Sequence, residues 1–481
     1  TNTGPDVQDL YVEKVDPADP SRYLTPDGSR PFETRREVIK VKGRPDEVIT
    51  VRTTRHGPVI SDINANVKEI AGEGHVIAFA WTALAEDDLT AQSGIKMMAA
   101  ETTPQFIEAL RDFHAPQQNV VFADIDGNIG FYAPGRVPVR KPEHRTKGLM
   151  PAPGWEAEND WDGYIPFEEL PQAFNPADGV VMTANHKVVP DDYKHHITHE
   201  WTVPFRARRI TQLLDERPSH SIDSFRAIQI DSISLFARDL LPLLLAVPVS
   251  DAKGGALQAL LRRWDGKMDR NRPEGLVFHA WARELARALY EDDLGPLFEE
   301  YFETRPIFLL NALTTQQHWC DDIRTPAVET CADMIRLALD RAGGELRKAH
   351  GDDPARWRWG DAHPARSEHR PLGKVKSLRR FFDIRVPADG DTFTVNAARF
   401  NPRDPEGPFT MIHGASFRAI YDLDDLDRSI FIQSSGQSGN PLSKRFADFA
   451  LPWSNGEYLS MSVRPVDYEA GAIGVLQLVP R

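Results

Sequence analysis

Three histidines close together, an N-terminal threonine and a few glycine-flanked serines are the residues here that could do chemistry. His195, His196 and His199, with His186 upstream, form an imidazole cluster of the kind that binds a transition metal, which would suit a metal-dependent hydrolase. Their neighbours Asp191, Asp192, Tyr193 and Lys194 support the plainer reading of an exposed polar loop. His199-Glu200-Trp201-Thr202-Val203 is not a zincin helix, because valine stands where the second histidine is needed. Ser416 in Gly414-Ala415-Ser416-Phe417-Arg418 lacks the second glycine of a nucleophile elbow, and Gly436-Gln437-Ser438-Gly439 has the wrong spacing. Asp124-Ile125-Asp126-Gly127-Asn128 begins like a calcium loop, but its glycine comes too early and position twelve is Gly135, so it reads as a hairpin turn. Thr1 as a first residue would join a hydroxyl to an α-amine, the makings of an N-terminal nucleophile. Cys320 and Cys331, the only cysteines, are spaced to close a short loop; a disulfide is favoured over two buried thiols in a helical region.

The elements that must position such residues follow a β, α, β order. Residues 37–42 and 48–54 are branched runs on either side of Gly43-Arg44-Pro45-Asp46, which predicts a hairpin. Residues 75–81 form another apolar strand, and 119–125 pairs with 129–132 across Asp126-Gly127-Asn128. Residues 138–178, crowded with Pro, Gly, Trp and Asp, read as irregular but packed. From 204 to 350 the apolar spacing becomes helical, at 210–214, 225–245, 256–264, 277–290 and 328–346. Short strands return at 392–395, 416–423, 429–432 and 458–462. The expected division is a β-rich region over residues 1–203, a mainly helical lobe over 204–350 and a β-rich region over 351–481 that returns to the first.

The 481 residues, 41% of them hydrophobic, can bury one large core or two ordinary ones. A net charge of −14 would repel polyphosphates, so nucleic acid is not an expected partner. The most apolar run, 240–249, is far shorter than the ~20 residues of a membrane span. Thr1-Asn2-Thr3-Gly4-Pro5 has neither the basic nor the apolar region of a signal peptide.

One set of phrases is more specific in its order than any single motif. These are Thr1-Asn2-Thr3-Gly4-Pro5-Asp6-Val7-Gln8-Asp9-Leu10-Tyr11; Arg55-His56-Gly57-Pro58-Val59; Pro116-Gln117-Gln118-Asn119 with Ala123-Asp124 and Gly127-Asn128-Ile129-Gly130; Asn175-Pro176, Gly179 and Thr183-Ala184-Asn185; Phe205-Arg206-Ala207-Arg208-Arg209-Ile210; Trp359-Gly360-Asp361-Ala362-His363; and Ser435-Gly436-Gln437-Ser438-Gly439-Asn440-Pro441. In this order the chain resembles the large subunit of the penicillin acylase (penicillin amidase) family, which includes penicillin, cephalosporin and acyl-homoserine-lactone acylases.

The resemblance implies an α+β fold, the αββα sandwich of the N-terminal-nucleophile hydrolases. It implies a self-cleaving precursor that yields a heterodimer, with a serine at the head of the large subunit activated by its own amine. That serine would lie roughly seventy residues before Thr1, so this chain alone is expected to be inactive, and Thr1 would sit inside a continuous segment. The resemblance assigns the oxyanion hole to the backbone N–H of Asn2 and the side chain of Asn185, and makes Arg209 an active-site arginine. It also implies a structural Ca2+ ion, held by the carboxylates of Asp6, Asp9 and Glu200 and by carbonyls of Gln8 and Gly148, with a further ligand from the small subunit. The expected activity is amidohydrolysis of a small acyl amide of penicillin or cephalosporin type, with an acyl-homoserine lactone as the alternative, in the periplasm or outside the cell. Outside that class stand the metal-dependent hydrolase and a binding protein that has lost its nucleophile.

Overall fold

β1 (Gln8–Asp16) is the strand around which the N-terminal region of the chain is assembled. The computed structural model describes residues 4–480, so Thr1 and Asn2 lie outside the described residues. The strand's period of two turns Asp9, Tyr11 and Glu13 to the buried side. After β1, β2 (Asp19–Thr25) and β3 (Gly28–Pro31) extend the sheet antiparallel. β4 (Glu33–Ile39) and β5 (Glu47–Thr54) form the predicted hairpin with full register from Glu33↔Thr53 to Ile39↔Glu47, and β6 (Gly57–Pro58) adds to β5. β7 (His75–Trp81) lies on the other side of β1, in register from Gln8↔Trp81 to Lys14↔His75. Ala152–Pro153 runs parallel to β1.

Val120–Ala123 and Ile129–Tyr132 pair as expected around a turn whose Gly127 has φ of 88°. Two helices, Thr90–Ala99 and Thr103–Leu110, stand inside the region expected to be β-rich. The second begins at a capping box in which Thr102 and Gln105 satisfy each other's backbone N–H groups.

By compactness the chain divides into residues 1–202 and 203–481. In the second unit the helices Glu274–Leu294 and Cys331–His350 bury Phe278, Trp281, Leu285 and Leu289 against Ala338, Leu339, Ala342 and Leu346. Each large side chain contributes about 1.5–3 kcal/mol by leaving water. Trp357, Trp359, Phe393, Phe400 and Phe409 belong to that same core, so the chain beyond residue 350 packs with the helices that precede it. The apolar run 225–245 is two helices, Ile222–Gln229 and Leu235–Leu245, because Ser234 caps the second. Residues 392–395, expected as a strand, are a buried turn: Phe393 N–H donates to Asp391 Oδ1 (2.7 Å) and Asp391 N–H to Thr394 Oγ1 (2.9 Å). Cys320 and Cys331 form a disulfide with Cα atoms 4.9 Å apart. Among the described residues no helix is long and apolar enough to cross a membrane.

Candidate functional site

Asn185 stands out through its backbone. Its φ of 63° lies in the left-handed region, which asparagine tolerates better than other residues with a side chain. The approach to the turn is anchored: Ala184 is buried, and Asn119, also buried, donates from Nδ2 to Thr183 Oγ1 at 2.9 Å. The Ala184 N–H donates to His186 Nδ1 at 3.4 Å. A half-buried amide on a rigid, irregular turn is the arrangement that a fixed hydrogen-bond donor requires. The other expected donor, Asn2, lies outside the described residues.

Asp6 and Asp9 meet a guanidinium. Arg140, at the end of the strand Pro138–Arg140, donates from Nε to Asp9 Oδ2 at 3.0 Å. Its Nη2 reaches the main-chain oxygens of Asp6 (3.2 Å) and Gln8 (3.4 Å) and lies 3.3 Å from Asp6 Oδ1. Trp161 Nε1 donates a second bond to Asp9 Oδ2 at 2.5 Å. The side chains of Arg140 and Asp9 are each only 2% exposed. His144 is buried beside them; burial pushes its imidazole down, and Nε2 lies 3.9 Å from Asp9 Oδ2. Gly148 has φ of 87°, and a Cβ there would stand 2.4 Å from Asp6 Oδ2 and 3.1 Å from Arg140 Nη2.

Calcium needs six to eight oxygens at about 2.3–2.6 Å. The expected ligands Asp6, Gln8, Asp9 and Gly148 do come together, but around a cation that the chain itself supplies. Glu200 is exposed, with its N–H on Thr198 Oγ1. Among the described residues no three His, Cys, Asp or Glu side chains are gathered as a metal would require. As arranged, the residues do not fit the ion.

A sequence model of the family described as Penicillin amidase matches residues 1–470. The chain belongs to the penicillin amidase family. It is 28% identical to an acyl-homoserine lactone acylase, QuiP, of Pseudomonas aeruginosa, over 96% of this chain and 58% of that protein. It is 29% identical to the penicillin acylase 2 proenzyme of Pseudomonas sp. strain SE83, over 99% of this chain and 60% of that protein. The chain thus spans less than two thirds of the length of these curated relatives. A thermostable penicillin G acylase from Alcaligenes faecalis superimposes with a TM-score of 0.70 at 20% identity, covering 100% of this chain and 89% of that one. That likeness shows the expected α+β fold of the N-terminal-nucleophile hydrolases.

The other residues singled out from the sequence sort differently within this penicillin amidase chain. His195 turns its Nε2 to Glu169 Oε2 at 2.6 Å, while the rings of His196 and His199 pack on each other at 4.3 Å, so the imidazoles do not converge on one point. Arg209 makes a two-pronged ion pair with Asp231, from Nε at 3.0 Å and Nη2 at 2.8 Å. That hydrogen bonding raises its pKa and commits its fork to a partner in its own unit. Of the three neighbouring arginines it is Arg206 whose guanidinium burial pushes down.

Sequence reasoning missed a buried ionic chain. Glu13, fully buried, accepts from Thr54 Oγ1 at 2.9 Å and faces His56 Nδ1 at 2.7 Å. His56 Nε2 lies 3.0 Å from Asp160 Oδ1, and Arg55 grips both Asp160 oxygens at 2.7 Å. Burial opposes ionisation of Asp160, but the hydrogen bonds from His56 and Arg55 outweigh it and hold the carboxyl well below the usual range. The Tyr11 ring stacks on His56 at 3.6 Å. Arg55-His56-Gly57 was available as a phrase, but nothing in the spacing joins it to Glu13 and Asp160.

Proposed function

We propose that the protein to which this chain belongs is an amidohydrolase that removes the acyl group from a small amide, through an N-terminal serine lying outside this sequence. The match to the penicillin amidase family across residues 1–470 carries the reading. In it, the serine hydroxyl gives its proton to its own α-amine and adds to the carbonyl carbon, leaving the negative charge on oxygen. The Asn185 amide donates to that oxygen, as does the backbone N–H of Asn2. The amine leaves with the proton, and water then releases the acyl group from the serine. The Asn185 turn supports this, because a donor already held in place need not reorganise as charge develops.

A second chain from the same precursor completes the protein in this reading, in keeping with a relative named as a proenzyme. The Cys320–Cys331 disulfide suits an oxidising compartment and supports a periplasmic or secreted location. The relatives' names cover penicillin and acyl-homoserine-lactone amides alike, so both belong in the assay.

The test is Asn185→Gly in the enzyme matured from its whole precursor. Glycine keeps the left-handed turn, whereas alanine would add about 1–2 kcal/mol of strain. On chromogenic phenylacetyl and long-chain acyl amides, kcat is expected to fall about 10²–10³-fold, with a smaller change in KM. Mass spectrometry must first show that self-cleavage is complete, since a processing defect would mimic a catalytic one. A matured variant within about threefold of wild type would sink the assignment of Asn185, because one such donor is worth far more.

A further inference from the structure

We propose that Arg140, rather than a bound calcium ion, neutralises the Asp6–Asp9 pair, so that this protein holds the region together with a cation of its own. Three of the five oxygen sources that the family resemblance assigns to calcium, on Asp6, Gln8 and Asp9, touch the same guanidinium. Nε takes the Asp9 carboxylate at 3.0 Å. Nη2 takes the Asp6 and Gln8 carbonyls at 3.2 and 3.4 Å and approaches the Asp6 carboxylate at 3.3 Å. A Cβ on Gly148 would stand 3.1 Å from that nitrogen, so the glycine makes room for the fork. Of the other two, Glu200 is exposed.

Two physical arguments oppose sharing. A divalent ion among these oxygens would lie within a few ångströms of the Arg140 guanidinium, and like charges so close to the buried Asp9 repel strongly. The carbonyls of Asp6 and Gln8 also already direct one lone pair at Nη2, which leaves each only one for any further partner. Arg140 is anchored besides: its side chain is 2% exposed, its strand pairs with Trp161–Tyr164, and Trp161 closes over the same Asp9 oxygen. Without the guanidinium, Asp9 would be a buried carboxylate with no cation, which calcium could then stabilise.

The experiment uses the matured full-length protein, with metal content and thermal stability as readouts, so its outcome is independent of whether the enzyme cleaves amides. After gel filtration in metal-free buffer the wild type is expected to carry far less than one equivalent of calcium. Its Tm should agree in chelator and in excess calcium to about 1 °C. Arg140→Met, which keeps the stem and removes the fork, should melt lower in chelator and recover with calcium. A wild type that retains one equivalent of calcium, or that loses several degrees to chelator and regains them with calcium, overturns the proposal. So does an Arg140→Met protein that calcium stabilises no more than it stabilises wild type. Should the variant not fold, the two wild-type measurements decide alone.

Discussion

His363 gives the protein a built-in sensitivity to acid whose size can be worked out. The ring is entirely buried, stacked on Trp359 at 4.3 Å, with Nδ1 2.5 Å from the Phe409 carbonyl oxygen. Nδ1–H therefore donates, and Nε2 is bare, without a partner among the described residues. Burial pushes the imidazole from 6.5 down to about 4. His279, paired with Asp391 at 3.0 Å, adds a smaller contribution in the same direction. Because the folded pKa lies below the unfolded one, the unfolded chain takes the proton first as pH falls. Stability is intact above about pH 6.5, declines through the interval, and levels off below about 4. The full loss is roughly 3 kcal/mol, of which about 2 falls between pH 7 and 4.5. The perturbation is His363→Gln, whose amide can still donate to the Phe409 carbonyl but does not titrate. Unfolding free energies from urea titration would be measured for both proteins at several pH values in that range. The difference between them should shift by about 2 kcal/mol in favour of the variant as pH falls. Parallel curves, agreeing within about 0.5 kcal/mol at every pH, would refute the linkage.

Two further predictions concern other regions of the chain. Replacing Cys320 and Cys331 together by alanine opens a loop of sequence separation 11 and should lower stability by about 3 kcal/mol in denaturant titration; a loss equal to that of wild type in reductant would tie it to the bond itself. At Gly57 a Cβ would sit 2.2 Å from the Phe79 carbonyl oxygen with φ at 134°, so Gly57→Ala should destabilise by about 2 kcal/mol or more, and an unchanged melting curve would show that β6 and β7 can part without penalty.

Where local chemistry alone decides an element, the sequence was legible. The β4–β5 hairpin, the strand His75–Trp81 and the turn at Gly127 lie where branched runs and turn residues placed them. The helices 274–294 and 331–350 likewise follow from apolar spacing. The misses have physical causes. Thr102 and Gln105 begin a helix inside a region expected to be β-rich, because a capping box depends on two residues and not on the surrounding strand pattern. Residues 392–395 have strand-forming side chains, but Asp391 and Thr394 captured the local N–H groups first. Asn185 could be singled out only through a family phrase, since its distinguishing property is a backbone angle that the sequence does not display.

The acidic side chains of β1 show most clearly why ionic sites are harder to read than cores. In Gln8-Asp9-Leu10-Tyr11-Val12-Glu13, hydrophobic alternation would send Leu10 and Val12 inward. The strand does the reverse, burying Asp9, Tyr11 and Glu13 at 3%, 1% and 0% exposure. That choice is stable only because each carboxylate meets a partner from a distant stretch: Arg140 and Trp161 for Asp9, His56 and Thr54 for Glu13. Burying either carboxylate unpaired would cost several kcal/mol, and turning Leu10 and Val12 inward instead would return about 1.5–3 kcal/mol each, so the partners determine which face is the inside. Partners separated by 131 and 43 residues leave no periodic trace in the sequence. The family phrase around Asp6–Asp9 opens this strand and the phrase Arg55–Gly57 supplies the histidine that meets Glu13 further along it, so each polar residue is kept in place by what it meets in the fold and not by its neighbours in the chain.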